Sequence, residues 1–389
     1  MAVIIRAEEI MSLLRTLFLF FAICLPAHAQ VFGEYTPPPP DLSANAFMLV
    51  DSQSGAVLAE KNADKRIEPA SLTKLMTAYV VFDELRQKRL TMTQQVRVSE
   101  KAWRAPGSRM FLEPGSEVSI EELLKGLIIQ SGNDAAITLA EAIATSEAQF
   151  AILMNQQAQR LEMNGTQFVN STGLPDTDHY SSARDMVRIA SAIIEEFPEH
   201  FSLYSMREFT YNDITQYNRN RLLGRDPYVD GMKTGFTDSA GFCLVATANR
   251  DGRRLISVVI DAKSDRGRTS ESQNLLNFGY EKFDTILLYK KGQAIQDIPV
   301  WKGSADNLPA GFSEDFFVTI PKGLAQKLHA KLESMQPLLA PVPAGQSIGM
   351  LRLTFDGDPY GDYPVVALKP VKLANVFVRT WHSIQLLWN

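Results

Sequence analysis

"EPASLTKLMTAY", residues 68–79, puts Ser71 in the first turn of a helix and Lys74 one turn later. Pro69 upstream is the usual punctuation of a helix start, and Leu75, Met76, Tyr79 and Val80 supply an apolar stripe. A spacing of three places hydroxyl and amine on one helix face, about 5–6 Å apart at Cβ. Two readings follow: a capping serine with a surface lysine, or a nucleophile with its base. A helix start gathers unpaired N–H groups and the positive end of the dipole, so an oxyanion formed there finds donors.

Lysine is a poor base in water. With a reference pKa near 10.4, only about one in 2,500 molecules is neutral at pH 7. Lowering that value by about three units costs on the order of 4 kcal/mol. Burial and a second nearby cation are the physical routes, so the nucleophile reading demands another positive group. "VDGMKTGFT", residues 229–237, supplies it. Lys233 is the cation, Thr234 a hydroxyl, and Gly235 lets a ligand backbone lie against a strand edge. "SGN", residues 131–133, adds Ser131 as a proton relay and Asn133, whose amide both donates and accepts toward a bound peptide. Each motif alone has a bland reading as a cap, a turn or a strand start. Together, in the order S-x-x-K, S-x-N, K-T-G, they form the signature of penicillin-binding proteins and serine β-lactamases.

The rest of the chain fits around these stretches. Its 389 residues accommodate two domains, and 45% hydrophobic with 21% charged residues is ordinary for a packed globular protein. A net charge of −5 without a basic block argues against nucleic acid. Residues 1–29 read as a secretory signal: Arg15, an apolar run from Leu17 to Leu25, and "AHA" ending at Ala29, with Met11 an alternative start to Met1. Cys24 raises a lipoprotein, but Ile23 is too bulky for the small-residue site before it. Its removal leaves Cys243 as the only cysteine, which excludes an intramolecular disulfide. Five scattered histidines give no metal-site pattern.

Residues 30–41, with "TPPPPD", read as an extended polyproline linker. Two strands joined at Ser54-Gly55 follow, then a helix to about Leu85. Helical periodicity continues in "VSIEELLKGLIIQ", "DAAITLAEAIA", "SEAQFAILMNQQAQRLEM" and "SARDMVRIASAIIEEF", the last with a capping serine before Ala183. From Gly231 strands return, with a hairpin turn at Arg250-Asp251-Gly252. Strands that open and close a segment around helices make one α+β domain, residues 42–285. Residues 286–371 read as a small all-β domain. In the tail, residues 372–389, Leu373, Val376, Phe377, Trp381, Ile384, Leu387 and Trp388 fall on one side. Lys372, Asn375, Arg379, His382, Ser383 and Gln385 fall on the other, with Val378 and Leu386 breaking the division. Such a helix either docks on its own domain or lies in a membrane interface. Its terminal position, aromatics and cations favour the membrane surface.

More closely, "EPASLTKLMTAY", "SGNDAA", "TGLPDTDHYSSARDM", "YNRNRLL" and "VDGMKTGFT" resemble the low-molecular-mass D-alanyl-D-alanine carboxypeptidases over nearly the whole chain after the signal. The resemblance implies a penicillin-binding-protein/β-lactamase-like transpeptidase fold, an antiparallel sheet with a helical subdomain. It also implies a β-rich stalk and a helix anchoring the protein at the periplasmic face of the inner membrane, with no metal or organic cofactor. It implies that Ser71 attacks the carbonyl between two terminal D-alanines of a peptidoglycan stem peptide, that Lys74 takes its proton, and that β-lactams acylate the same serine. The N–H groups of Ser71 and Phe236 would form the oxyanion hole. Ser131 and Lys233 would protonate the leaving D-alanine, and Asn133 would bind the peptide amide. Thr234 and Arg219 would hold the terminal carboxylate, with Arg221 and Arg225 as alternatives to Arg219. Many relatives carry His where Phe236 stands. His179, in the loop flanking the site, is either a substrate contact or a solvated loop residue. The alternatives are a D,D-endopeptidase acting on cross-links, a serine β-lactamase, and a non-catalytic sensor that keeps the fold.

Overall fold

The computed structural model describes residues 32–387. The expected signal, residues 1–29, lies outside them, as do Gln30, Val31, Trp388 and Asn389.

The strand Ala46–Asp51 has all six residues buried, and its side chains alternate between two cores. Ala46, Met48 and Val50 join the core that contains the helices Lys74–Arg86, Asn133–Ala144, Glu147–Arg160 and Ala183–Glu196. Phe47 and Leu49 join the opposite core, against the helix Asp265–Lys282. A sheet covered on both faces needs apolar residues at both parities, which is why this segment reads as an unbroken apolar run. Burying one such Leu or Phe side chain contributes about 1.5–3 kcal/mol.

The sheet is antiparallel, in the spatial order Val57–Lys61, Ala46–Asp51, Arg253–Ala262, Gly241–Arg250, Val229–Thr237. The first strand thus pairs with the last, Phe47 opposite Val259, and the helices fill the sequence between. Asp251 (φ 53°) and Gly252 (φ 83°) make the tight hairpin that the sequence suggests. Ser182 caps its helix by accepting the Asp185 N–H at 3.1 Å. Val229–Thr237 is left at the sheet edge, beside the turn that carries Ser71.

The second domain holds a five-stranded antiparallel sheet around its own apolar cluster. A strand at Phe283–Tyr289 pairs with Phe316–Pro321, so the change of sheet falls at residue 283, ahead of the expected 285/286 division. The junction is a partly buried polar network. Asp51, fully buried, accepts from Arg253 Nε at 2.8 Å and from the Thr285 hydroxyl at 2.6 Å. Thr319 bonds Thr285 at 2.9 Å and Ser54 at 2.6 Å. Phe32, expected in a free linker, is buried here instead, edge-on to Phe355 at 5.0 Å and tilted against Phe283 and Tyr360.

The tail helix runs Val376–Gln385, later than the expected start at 372. Lys372–Ala374 are held extended by backbone bonds to 302–304, and Asn375 caps the helix by accepting the Val378 N–H at 3.0 Å. Its polar side faces the protein: His382 Nδ1 accepts the Lys302 N–H at 2.7 Å, and its ring stands edge-on to Trp301. Its apolar side faces out, with Phe377 86%, Trp381 60% and Leu387 83% exposed.

Candidate active site

The nucleophile segment is tighter than a plain helix start. Ala70–Thr73 is a 3-10 turn and the α-helix begins at Lys74, so Ser71 sits in the turn rather than on the α-helix. Ala70 takes φ 45°, a left-handed value that non-glycine residues adopt at a cost. Gly173 packs against this turn: with φ 82° it lies so close that a methyl group there would overlap the Ala70 carbonyl.

Lys74 is 1% exposed, and its amine has three partners. They are Ser71 Oγ at 3.1 Å, Asn133 Oδ1 at 2.7 Å and the Thr172 carbonyl at 2.6 Å. The last two can only accept, so they take both N–H bonds of a neutral amine and leave its lone pair for the Ser71 hydroxyl. Burial pushes the Lys74 pKa down to about 7; Asp134 and Glu147 oppose the shift and Arg219 adds to it. Desolvation, and not chiefly a second ammonium, therefore activates this lysine. The coupling expected between the two lysines acts on the other partner. Lys233 is held well below the ordinary lysine range by burial, and next by the charges of Lys74, Arg219 and Arg268.

Ser131 ends a wide π-turn, Gly126–Gln130, in the left-handed region at φ 67°. The helix expected through "GLIIQ" thus widens to π over its last turn and stops at Ser131, whose hydroxyl accepts from Lys233 Nζ at 2.9 Å. Asn133 starts the next helix; its Nδ2 donates to the Pro106 carbonyl at 2.6 Å while Oδ1 holds Lys74. The second N–H of that amide remains in the inventory for a ligand.

On the edge strand, Thr234 is buried next to Lys233. At Gly235 the missing side chain faces the nucleophile turn. A Cβ there would stand 3.1 Å from the Pro69 carbonyl and 3.2 Å from Leu72 Cγ, so the bare position lets the strand approach the nucleophile turn itself. Phe236 is 47% exposed, packs at a tilt against its cross-strand neighbour Phe242 with ring centres 4.3 Å apart, and lines the cleft. Ser71, Asn133, Thr172, Leu174, Arg219 and Thr237 line it too, with Gly107, Ser108 and Gly173. Arg219 donates from Nε to the Gln130 carbonyl at 3.2 Å. Arg221 pairs with Asp265 at 2.7 Å and Arg225 bonds Ser270, so both face the helix Asp265–Lys282.

His179 is neither solvated nor a cleft residue. It is buried, its Nδ1 accepts the Val169 N–H at 3.1 Å, and Nε2 therefore carries the proton toward Thr73 Oγ1 at 2.8 Å. Burial lowers its pKa to about 4, so it is a neutral strut behind the nucleophile turn. Sequence reasoning passed over Thr172 and Glu147. A backbone carbonyl leaves no residue-type signal, and an acid after the capping Ser146 reads as an ordinary helix start.

Known proteins share this architecture. Residues 34–264 match the family described as D-alanyl-D-alanine carboxypeptidase, and residues 283–373 match the penicillin-binding protein 5 C-terminal domain. The D-alanyl-D-alanine carboxypeptidase DacC of Escherichia coli (strain K12) is 41% identical over 362 residues, 91% of this chain and 90% of that one. DacA of the same strain is 37% identical over 399 residues, 100% of this chain and 99% of that one. Among solved structures, penicillin binding protein 5 from Haemophilus influenzae superposes with a TM-score of 0.84 at 39% identity, covering 86% of this chain and 99% of that one. The ampicillin-bound form of penicillin-binding protein D2 from Listeria monocytogenes gives 0.58 at 33% identity, covering 63% of this chain and all of that one. A buried lysine on a serine, a second lysine on a second serine, and matches to both domains have one common explanation: the chain belongs to the D-alanyl-D-alanine carboxypeptidase family.

Proposed function

We propose that the protein is a serine D-alanyl-D-alanine carboxypeptidase that removes the terminal D-alanine from peptidoglycan stem peptides. Ser71 Oγ attacks the penultimate carbonyl carbon while Lys74 takes the hydroxyl proton. The N–H groups of Ser71 and Phe236 receive the oxyanion. The C–N bond breaks as Ser131, linked to Lys233, delivers a proton to the departing amine. Asn133 holds the peptide, and Arg219 with Thr234 holds the terminal carboxylate. Water then cleaves the ester and restores Ser71. Penicillins enter the same path by opening their lactam ring on Ser71.

The observation that carries this reading is the Lys74 amine, with two acceptor-only partners and its third contact on Ser71. A class A β-lactamase reading requires a glutamate free to activate water. The glutamate behind the loop, Glu147, has its oxygens engaged by Ser171 and Lys101. Mass spectrometry of the intact protein after brief penicillin exposure tests the mechanism: a covalent adduct is expected, and Ser71→Ala abolishes it. An unmodified, folded wild type would refute it. Product analysis of digested peptidoglycan separates trimming of pentapeptides from cutting of cross-links.

We further infer export and attachment to the outer surface of the inner membrane. The signal-like residues 1–29 support export. Attachment is supported by the outward apolar face of Val376–Gln385, whose polar face packs on the β domain. Among the described residues no single helix is long and apolar enough to cross a membrane, which fits a helix lying in the interface.

A further inference from the structure

Behind the cleft, the loop Ser171–Gly173 is held from two sides. On the far side Glu147 Oε1 accepts the Ser171 N–H at 3.0 Å and the Ser171 hydroxyl at 2.8 Å, and Oε2 pairs with Lys101 at 2.9 Å. On the near side the Ser171 carbonyl accepts the Thr77 hydroxyl at 2.7 Å and the Thr172 carbonyl accepts the Lys74 amine at 2.6 Å. Asn170 Oδ1 gathers the Gly173 N–H at 2.7 Å, closing the turn. One carboxylate and one amine thus grip neighbouring residues, Ser171 through its N–H and hydroxyl and Thr172 through its carbonyl.

We propose that Glu147 is a positioning residue for acylation: by clamping Ser171 it fixes the Thr172 carbonyl on Lys74, and so sets the direction of the amine's lone pair toward Ser71. The inference rests on the reading of Lys74 as the base. It goes beyond it by giving a role to a residue that touches neither Ser71 nor the cleft lining. Direction matters because a misplacement of about 1 Å, even from a remote change, can cost roughly 100-fold in rate.

Glu147 also acts through charge. The charged and titratable groups around Lys74 are Asp134 on the helix Asn133–Ala144, Glu147 on the next helix, Arg219 and Lys233 across the cleft, and neutral His179 in the loop. Asp134 and Glu147 favour the ammonium form, and Arg219 opposes it. Burial raises the Glu147 carboxyl, but bonds from Lys101 and Ser171 outweigh this and keep it ionised at neutral pH. Neutralising it therefore moves the Lys74 titration to lower pH.

The test measures the second-order rate of penicillin acylation against pH for the full chain, with melting curves in parallel. Glu147→Gln keeps a carbonyl for Ser171 and loses the charge. Its plateau rate is expected within about threefold of wild type, with the acidic limb displaced to lower pH. Glu147→Ala loses the clamp and is expected to fall roughly 10- to 100-fold at the plateau while still folded. Wild-type rates in both variants would overturn the proposal. So would equal losses in both with an unmoved limb, the mark of a structural salt bridge to Lys101. If the alanine variant fails to fold, an unmoved limb in the glutamine variant overturns it. A wild type that forms no adduct would instead refute the reading of Ser71 and Lys74, a separable result.

Discussion

The Lys74 amine donates to the Thr172 carbonyl oxygen at 2.6 Å. A carbonyl cannot return a proton, so this contact and Asn133 Oδ1 fix two of the amine's positions whatever its charge. Only the third contact, on Ser71 Oγ, changes sense: an ammonium donates there, and a neutral amine accepts. Burial, which brings the pKa to about 7, makes the accepting form accessible at neutral pH.

Acylation by penicillin is therefore expected to rise as pH climbs through about 7. Lys74→Arg, permanently charged, should lose roughly 10²- to 10⁴-fold. Rapid-quench mass spectrometry across pH reads both effects, and a flat profile in the wild type would contradict the assignment of the base.

The same shift has a stability signature. Between about 7 and its ordinary 10.5, the unfolded lysine holds a proton that the folded one has released. Unfolding then takes up a proton, so the folded state gains stability as pH rises through this window and loses that gain as pH falls toward 7. The denaturation midpoint of the wild type minus that of Lys74→Met should grow with pH over this range. Urea titrations at several pH values measure it.

Gly173→Ala combines a left-handed backbone with a methyl group in the space of the Ala70 carbonyl. We expect a loss of at least about 1–3 kcal/mol from the backbone alone, with penicillin acylation reduced in whatever fraction folds. Chemical denaturation and adduct formation report the two quantities.

Of the three neighbouring arginines, only Arg219 lines the cleft. Arg219→Ala should lower kcat/KM for a D-Ala-D-Ala peptide by roughly 10- to 100-fold, the range of a lost charge-assisted bond. Arg221→Ala and Arg225→Ala, whose partners are Asp265 and Ser270, should stay near wild type.

Phe377→Ser with Trp381→Ser removes the two exposed ring residues of the outward tail face among the described residues. Sedimentation with vesicles containing anionic lipid should fall sharply, while D-alanine release from a soluble peptide stays unchanged. Undiminished sedimentation would argue against the tail as the attachment surface.

The architecture was legible where residue type and period agree. The apolar run at Ala46–Val50, the capping Ser182 and the Asp251-Gly252 turn each announce their element locally. Three motifs far apart in sequence mark a common cleft because their chemistry is complementary. What stayed hidden depends on tertiary neighbours. The bare face of Gly235 meets Pro69 and Leu72, 163 or more positions earlier in the chain. The burial that activates Lys74 comes from packing that no spacing rule encodes. His179 looked solvated because only the fold brings Val169 and Thr73 to its two nitrogens. Phe32 looked like linker because its pocket belongs to the other domain.

The partly buried junction of Asp51 with Arg253, Thr285 and Thr319 carries a mechanical implication. A swivel at this point would let the cleft sweep a broad zone. A joint held by these bonds would instead set the altitude of Ser71 above whatever surface the tail rests on. With the tail at a bilayer, as proposed, the gap between lipid and wall becomes a selector of which strands are trimmed. Shortening or lengthening the β domain would then retune the enzyme without altering a single atom of its chemistry.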